Sequence, residues 1–446
     1  MFTKMSRLLK HQLWPALVLL FGCAALAPAA AALELQSWQA DNGARVLFYP
    51  TANLPMVDAR VIFDAGSARD GEQAGVAHLT AALLFEGAGE LGGQVIASVL
   101  EGTGAEFAAG ATLEATTVRL RSLSDPERLG PAASLVAKVI QNPDFAPAAF
   151  ERQKQRQLLS IRAKEQSPSA LAADALRAAA FGDHPYGRPG TGTTASVNAL
   201  TRTAVQDFHR RHYTAANAWV VLVGDLKRAE AEDLAGKLVG GLPAGERMAP
   251  LPPPPPLEGS RVVRVPFPSE QATVQMAYNG VERRDPDYYP LFVGNHILGG
   301  SGFASRLMTN LREQRGLAYS VSSRLVPLRS GGLLVMGIQT RHDQVDHAVT
   351  LMQADLIQFI QAGPTEAELA DHQANIIGGF PLRLDSNAKI AENIGDLAVM
   401  GLPADYFAHY PAKIAALDPE AVQQAFRARI DPAAHVVVIV GPEAKE

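Results

Sequence analysis

The chemistry-bearing residue that stands out along this chain is His78, and its surroundings remove most of what an imidazole can do. Residues 75–87 read GVAHLTAALLFEG, an apolar run of helical character. A hydrolytic zinc site needs three protein ligands, an open position for water and a nearby base. In the inverted pattern H-x-x-E-H, the base and the second ligand would fall on Ala81 and Ala82. The residues alone therefore predict a half-buried His78, hydrogen-bonded to a backbone group or a carboxylate. His209 and His212 stand at i, i+3, but Arg210 and Arg211 between them would repel a divalent ion. They read as solvated helix surface near a C-terminus. His342 and His347, five apart, lack the helical alignment for chelation.

A second group lies far downstream. Residues 311–315 (LREQR) read as the last turn of a helix, Gly316 as its left-handed cap, and residues 317–322 as the strand beyond it. Arg315 and Tyr319 flank that turn. By residue type alone they are a helix-capping Arg and a strand Tyr packed on a neighbour. A guanidinium and a phenol can also hold a carbonyl and stabilise the oxyanion that develops on it. Before this helix comes Gly299-Gly300-Ser301-Gly302, either a tight turn between helices or a loop whose backbone touches a substrate. It lacks the Lys and the strand context of a phosphate-cradling loop.

Composition bounds the class. At 446 residues the chain is too long for one ordinary core, and 47% hydrophobic with 19% charged residues describes a globular protein. A net charge of −5 without long like-charge blocks gives no reason to expect nucleic acid or an anionic membrane surface. Lys4, Arg7 and Lys10 precede an apolar run over residues 13–26, then Ala-rich residues 27–32. That run is short for a spanning helix and is broken by Pro15 and Gly22, so residues 1–32 read as a cleaved secretory signal peptide. The only cysteine, Cys23, lies inside it, in a partial lipoprotein box spoiled by Phe21. A mature chain without thiols has no disulfide and no thiolate nucleophile. Periplasmic localisation is the expectation.

The rest is duplicated. Residues 219–225 (WVVLVGD) close one half and residues 435–441 (HVVVIVG) the other, with Gly224 and Gly441 217 positions apart. Strand-like alternation opens each half, at 59–63 and 272–276, and an apolar helix comes next, at 74–85 and 289–298. Between them residues 250–257 (PLPPPPPL) form a polyproline-II spacer expected to hold two domains apart semi-rigidly. The expected division is 33–245, a linker over 246–260, and 261–446. Each half should be an α+β domain, a mostly antiparallel sheet with helices packed to one side.

Six runs in order carry a family resemblance: 64–70 (DAGSARD) with 75–87; 104–107 (GAEF) with 114–116 (EAT); 184–189 (HPYGRP); 208–213 (FHRRHY); 298–307 (LGGSGFASRL); and 311–320 (LREQRGLAYS). With them the chain resembles a pitrilysin-type, inverted-zincin metallopeptidase of the mitochondrial-processing-peptidase branch over nearly its whole mature length. The resemblance implies two tandem homologous domains forming half of a clamshell. It places the third zinc ligand at Ser160 and a supporting acid at Gln153, so only His78 remains of the ligand set, and no metal is expected here. It puts Ala108 where relatives use an Asn to contact an extended peptide.

The resemblance also gives Arg315 and Tyr319 the role of reaching across the clamshell to a substrate held at a distant zinc ion, and residues 299–302 that of substrate contact. Together these features imply a non-catalytic subunit, inactive alone, of a heterodimeric zinc metallopeptidase. A homologous partner with an intact H-x-x-E-H would hold the zinc, and unfolded peptide would be the substrate. Two alternatives stay open: an inert peptide-binding or structural protein, like the core subunits of a respiratory complex built on this fold, or a standalone peptidase with an unfamiliar metal arrangement.

Overall fold

The structure, a computed structural model, describes residues 35–443. Residues 1–32, read as a signal peptide, and Cys23 within them lie outside the described residues. Eleven strands form two large sheets. The first half contributes β1 (Gln36–Gln39), β2 (Arg45–Pro50) and β3 (Met56–Phe63), then a small hairpin of β4 (Gly87–Ala88) and β5 (Leu91–Gly92). Next come β6 (Glu106–Ala111), β7 (Thr116–Leu123) and β8 (Ala218–Gly224). The second half contributes β9 (Ser260–Pro266), β10 (Gln271–Asn279), β11 (Ala318–Pro327), β12 (Gly332–Arg341) and β13 (His435–Gly441). The sheet orders are β1-β2-β8-β3-β7-β6 and β11-β12-β10-β13-β9.

Taken from opposite ends, the two sheets match. β2 and β8 run parallel, as do β9 and β13. The next three pairings are antiparallel in each sheet: β8–β3, β3–β7 and β7–β6, against β13–β10, β10–β12 and β12–β11. The duplication read from the two valine-rich runs is thus a duplication of topology, with β1 as an extra edge strand. β8 and β13 are buried along their whole length. That is why their sequences are valine-rich with almost no polar residue, whereas β7 alternates between buried and more exposed positions.

Helices do not keep to one side of each sheet. One face of the first sheet packs on its own helices through Val46, Val61, Val118 and Val220. Its other face presents Ile62, Trp219 and Val221, which join the core of the second half, against the Asn387–Met400 helix. Reciprocally, the Pro168–Phe181 helix of the first half lies on β10 and β13, with Ala172, Leu176 and Phe181 packed among Ala277, Val436 and Val438. The proline-rich segment does not hold the halves apart either. Its Leu251 and Leu257 pack against the same cluster. The Leu251 carbonyl accepts from the Ser330 hydroxyl at 3.1 Å, and the Pro252 carbonyl lies 2.9 Å from His184 Nε2. The segment is a strap along a closed junction, because burying both outer sheet faces outweighs the stiffness of the prolines.

Candidate functional site

His78 sits on the Val76–Leu83 helix, half-buried, with Ala81 buried beside it. The helix starts where Asp70 accepts from the backbone N–H groups of Gly75 (2.6 Å) and Ala77 (2.9 Å). Burial pushes the Asp70 carboxyl up to about 7, against the pull of those two donors. Gly75 holds φ +96° and packs so tightly that a Cβ there would meet Gln157 Nε2 at 2.8 Å.

The Pro147–Glu165 helix runs alongside, and its inward face carries amides rather than acids. Gln157 donates to the carbonyls of Gly75 (3.0 Å) and Thr191 (2.9 Å). Gln153, at the supporting-acid position, is buried and donates to Glu86, which also takes Arg152. Ser160 is exposed. A cavity of about 220 Å³ at His78 is lined by Lys164 and Arg177, with Ser67 and Thr191 among its other walls. Lys164 pairs with Asp174 at 2.6 Å, and Arg177 pairs with the same carboxylate. Burial, then the Lys164 charge, holds the His78 imidazole below its ordinary value, so it is neutral at pH 7. No hydrogen bond reaches its ring among the described residues, which corrects the expected backbone or carboxylate partner.

These residues do not fit a zinc ion. One neutral imidazole faces two cations where a site would need carboxylates and a second imidazole, and no group of three or more metal-ligating side chains occurs among the described residues. His209 and His212 are not solvated, contrary to their sequence reading. His209 Nε2 lies 2.8 Å from the Ile140 carbonyl, and its ring stacks on Tyr213. His212 is buried too, and burial pushes both down to about 4. Their neutral rings are core, selected by packing rather than by helix-end charge.

Arg315 and Tyr319 lie in the second half, and the residues around the His78 cavity all belong to the first. A π-helical turn, Met308–Gln314, ends at Arg315, and Gly316 comes next at φ +62°. The pairing of β11 with β12 then slips between Ala318 and Val321, and this bulge frees Tyr319 from the ladder. Tyr319 is 84% exposed. Its ring and that of the exposed Phe303 stand 4.9 and 4.6 Å from the Arg312 guanidinium, which joins them in one outward-facing stack. Arg315 is exposed and donates to the side-chain and backbone oxygens of Asn310. Asn310 donates in turn to both oxygens of Asp355, at 2.6 and 2.8 Å, so Asp355 braces the arginine through an amide.

In the glycine-rich loop, Gly299 is buried, and a Cβ there would sit 2.5 Å from Ser323 N on β11. Gly300 and Gly302 are exposed, with Ser301 partly so. The loop is therefore half turn, half open backbone. Sequence reasoning missed Lys164, Arg177, Phe303, Arg312 and the Asn310–Asp355 brace. Only Arg312 and Phe303 carried a signal, through their place within the runs 311–320 and 298–307.

A duplicated α+β chain with a zinc-helix remnant in one half and an exposed Arg–Tyr turn in the other belongs to the class of two-domain metallopeptidase-like proteins. Comparison with known proteins narrows this. Residues 45–194 match the insulinase family (peptidase family M16), and residues 199–376 match the peptidase M16 inactive domain. The uncharacterized zinc protease of Mycobacterium bovis is 31% identical over 373 residues, covering 82% of this chain and 84% of that protein. A solved peptidase M16 inactive domain from Pseudomonas fluorescens is 35% identical, with a TM-score of 0.89, over 93% of this chain and all of that one. The periplasmic protease PqqL from Escherichia coli shares the fold at 18% identity, with a TM-score of 0.76, over 92% of this chain and 45% of its own. This chain belongs to peptidase family M16.

Proposed function

We propose that this chain is the non-catalytic subunit of a heterodimeric zinc metallopeptidase of the periplasm. A homologous partner with an intact H-x-x-E-H holds the zinc, the water and the base. This chain closes the chamber and presents Arg315 and Tyr319 to peptide bound at the partner's metal. There the guanidinium and phenol hold the scissile carbonyl and stabilise its developing negative charge. The exposed backbone at Gly300–Gly302 contacts the same unfolded peptide. The observation that carries this reading is the outward bulge at Tyr319, which turns the Arg315–Tyr319 pair to solvent, while no metal-binding group of three or more side chains occurs among the described residues. The cation-lined cavity at His78 supports the loss of hydrolytic power. The periplasmic description of PqqL supports the compartment, as does the leader-like composition of residues 1–32.

The test mixes purified chain with its zinc-bearing relative and tracks cleavage of an unstructured peptide. Neither chain alone should turn over appreciably, and the mixture should. Arg315→Ala in this chain should lower kcat by roughly 10²–10³, the cost of one oxyanion donor. Full activity from that variant removes the Arg315 role. Full activity from the zinc-bearing chain alone removes the partnership and leaves the inert binding reading.

A further inference from the structure

At the junction of the two halves lies a cavity of about 150 Å³, well above what one water needs. Four arginines stand in its wall. Arg69 and Arg247 come from the first half and the strap, Arg284 and Arg329 from the second half. Arg45 stacks its guanidinium on Trp219, another wall residue, at 3.7 Å from the ring centroid. Two acids, Asp64 and Glu114, share the wall with the four arginines, and both are already engaged.

Asp64 is gripped by Arg69 (2.8 and 2.9 Å) and Arg329 (2.7 Å). Glu114 accepts from the Tyr186 hydroxyl and from the Arg329 backbone N–H at 3.0 Å, and burial raises its carboxyl above the usual range. Arg45, Arg247 and Arg284 are left without an ion-pair partner among the described residues. One terminal guanidinium nitrogen of Arg45 (Nη2) is buried with no hydrogen bond at all. Burial, then Arg247 and Arg329, lowers Arg45 to about 10, as expected where positive charge is crowded without compensation. Arg284 Nη1 would lie 3.8 Å from a Cβ built on Gly401, at the end of the Asn387–Met400 helix.

We propose that this junction cavity binds a small multivalent oxyanion of the phosphate type. Two unpaired guanidinium groups, Arg247 and Arg284, line the cavity, and a third, Arg45, stacks on its Trp219 wall; their planar forks match the oxygens of a tetrahedral anion better than they match chloride. The anion would bridge the strap and the loop after β10, so its binding is linked to the closed junction. It would stabilise the folded chain by mass action, since the unfolded chain has no such convergence.

The probe is inorganic phosphate, added to the full chain at constant ionic strength set with sodium chloride. The expected result is a saturable rise in melting temperature of about 2 °C or more, with a matching 1:1 isotherm by calorimetry. In Arg247→Ala/Arg284→Ala both should disappear. Both residues are exposed and unpaired, so this variant should fold. The Arg247→Lys/Arg284→Lys chain keeps charge but loses the forks and should bind roughly tenfold more weakly or worse. The proposal is overturned by a non-saturating response, by an equal response to added chloride, or by an unchanged phosphate response in the alanine variant.

Discussion

Replacing Asp64 with alanine tests how the two halves are held together. The carboxylate side chain is 4% exposed, with Arg69 at 10% and Arg329 at 22%. Removing it leaves a buried Arg69 and a half-buried Arg329 guanidinium facing each other across the junction. Breaking a buried pair in this way costs about 3–5 kcal/mol. Arg69 keeps one bond, to the Ala249 carbonyl at 2.8 Å, and Arg329 is partly open to water. Both facts place the expected loss near the low end, about 3 kcal/mol.

The other ion pair across the halves, Arg60–Glu392, is 3.5 Å long with its glutamate 62% exposed. It should contribute roughly 0–1 kcal/mol, so Glu392→Ala is the internal control. Thermal unfolding at pH 7 should show Asp64→Ala melting roughly 3–4 °C below the parent and Glu392→Ala within about 1 °C. Limited proteolysis gives a second readout, because loosening the junction should open the strap over residues 246–260 to cleavage. Asp64 is held below its ordinary value in the fold: burial opposes this, but Arg69 and Arg329 prevail. Its contribution is therefore present above the unfolded value of about 3.9 and is lost as pH falls through the lower folded value. An Asp64→Ala chain that melts with the parent at pH 7 and keeps its strap protected refutes the reasoning.

Two further outcomes are expected. His209, His212 and His296 are each pushed down to about 4, chiefly by burial. Their unfolded forms take up protons near pH 6.5, so stability should fall as pH drops from about 6.5 towards 4. His209→Gln, which can still donate to Ile140, should flatten that slope, and an unchanged slope in urea titrations counts against a buried neutral ring. Separately, Ala81→Glu/Ala82→His should bind no stoichiometric zinc after dialysis, since Lys164 and Arg177 stay in the cavity and Ser160 supplies no third ligand. Metal analysis showing one zinc per chain would contradict this.

The fold was largely legible because its strongest signals are local. The β8 and β13 runs and the Gly316 cap each declare themselves within a few residues. The strap was misread as a spacer because its partners, Ser330 and His184, lie far away in sequence. The helix exchange was invisible for the same reason: Ala172 and Leu176 look like any apolar helix face until Val436 and Val438 lie beneath them. At the site, the missing ligands were readable as absences at 81, 82 and 160. The cations that replace them were not, because Lys164 and Arg177 reach the cavity from two different helices. His209 and His212 deceived because flanking arginines suggested solvent, while periodicity alone does not say which side of a helix meets Ile140.

The exchanged helices constrain how such a molecule can be taken apart. A fragment ending before the proline strap would expose Ile62, Trp219 and Val221, and its Pro168–Phe181 helix would have no floor. Each half is a lid for the other, so truncation should yield aggregation rather than two working pieces. By the same logic the two halves should move as one rigid unit, with no hinge between them.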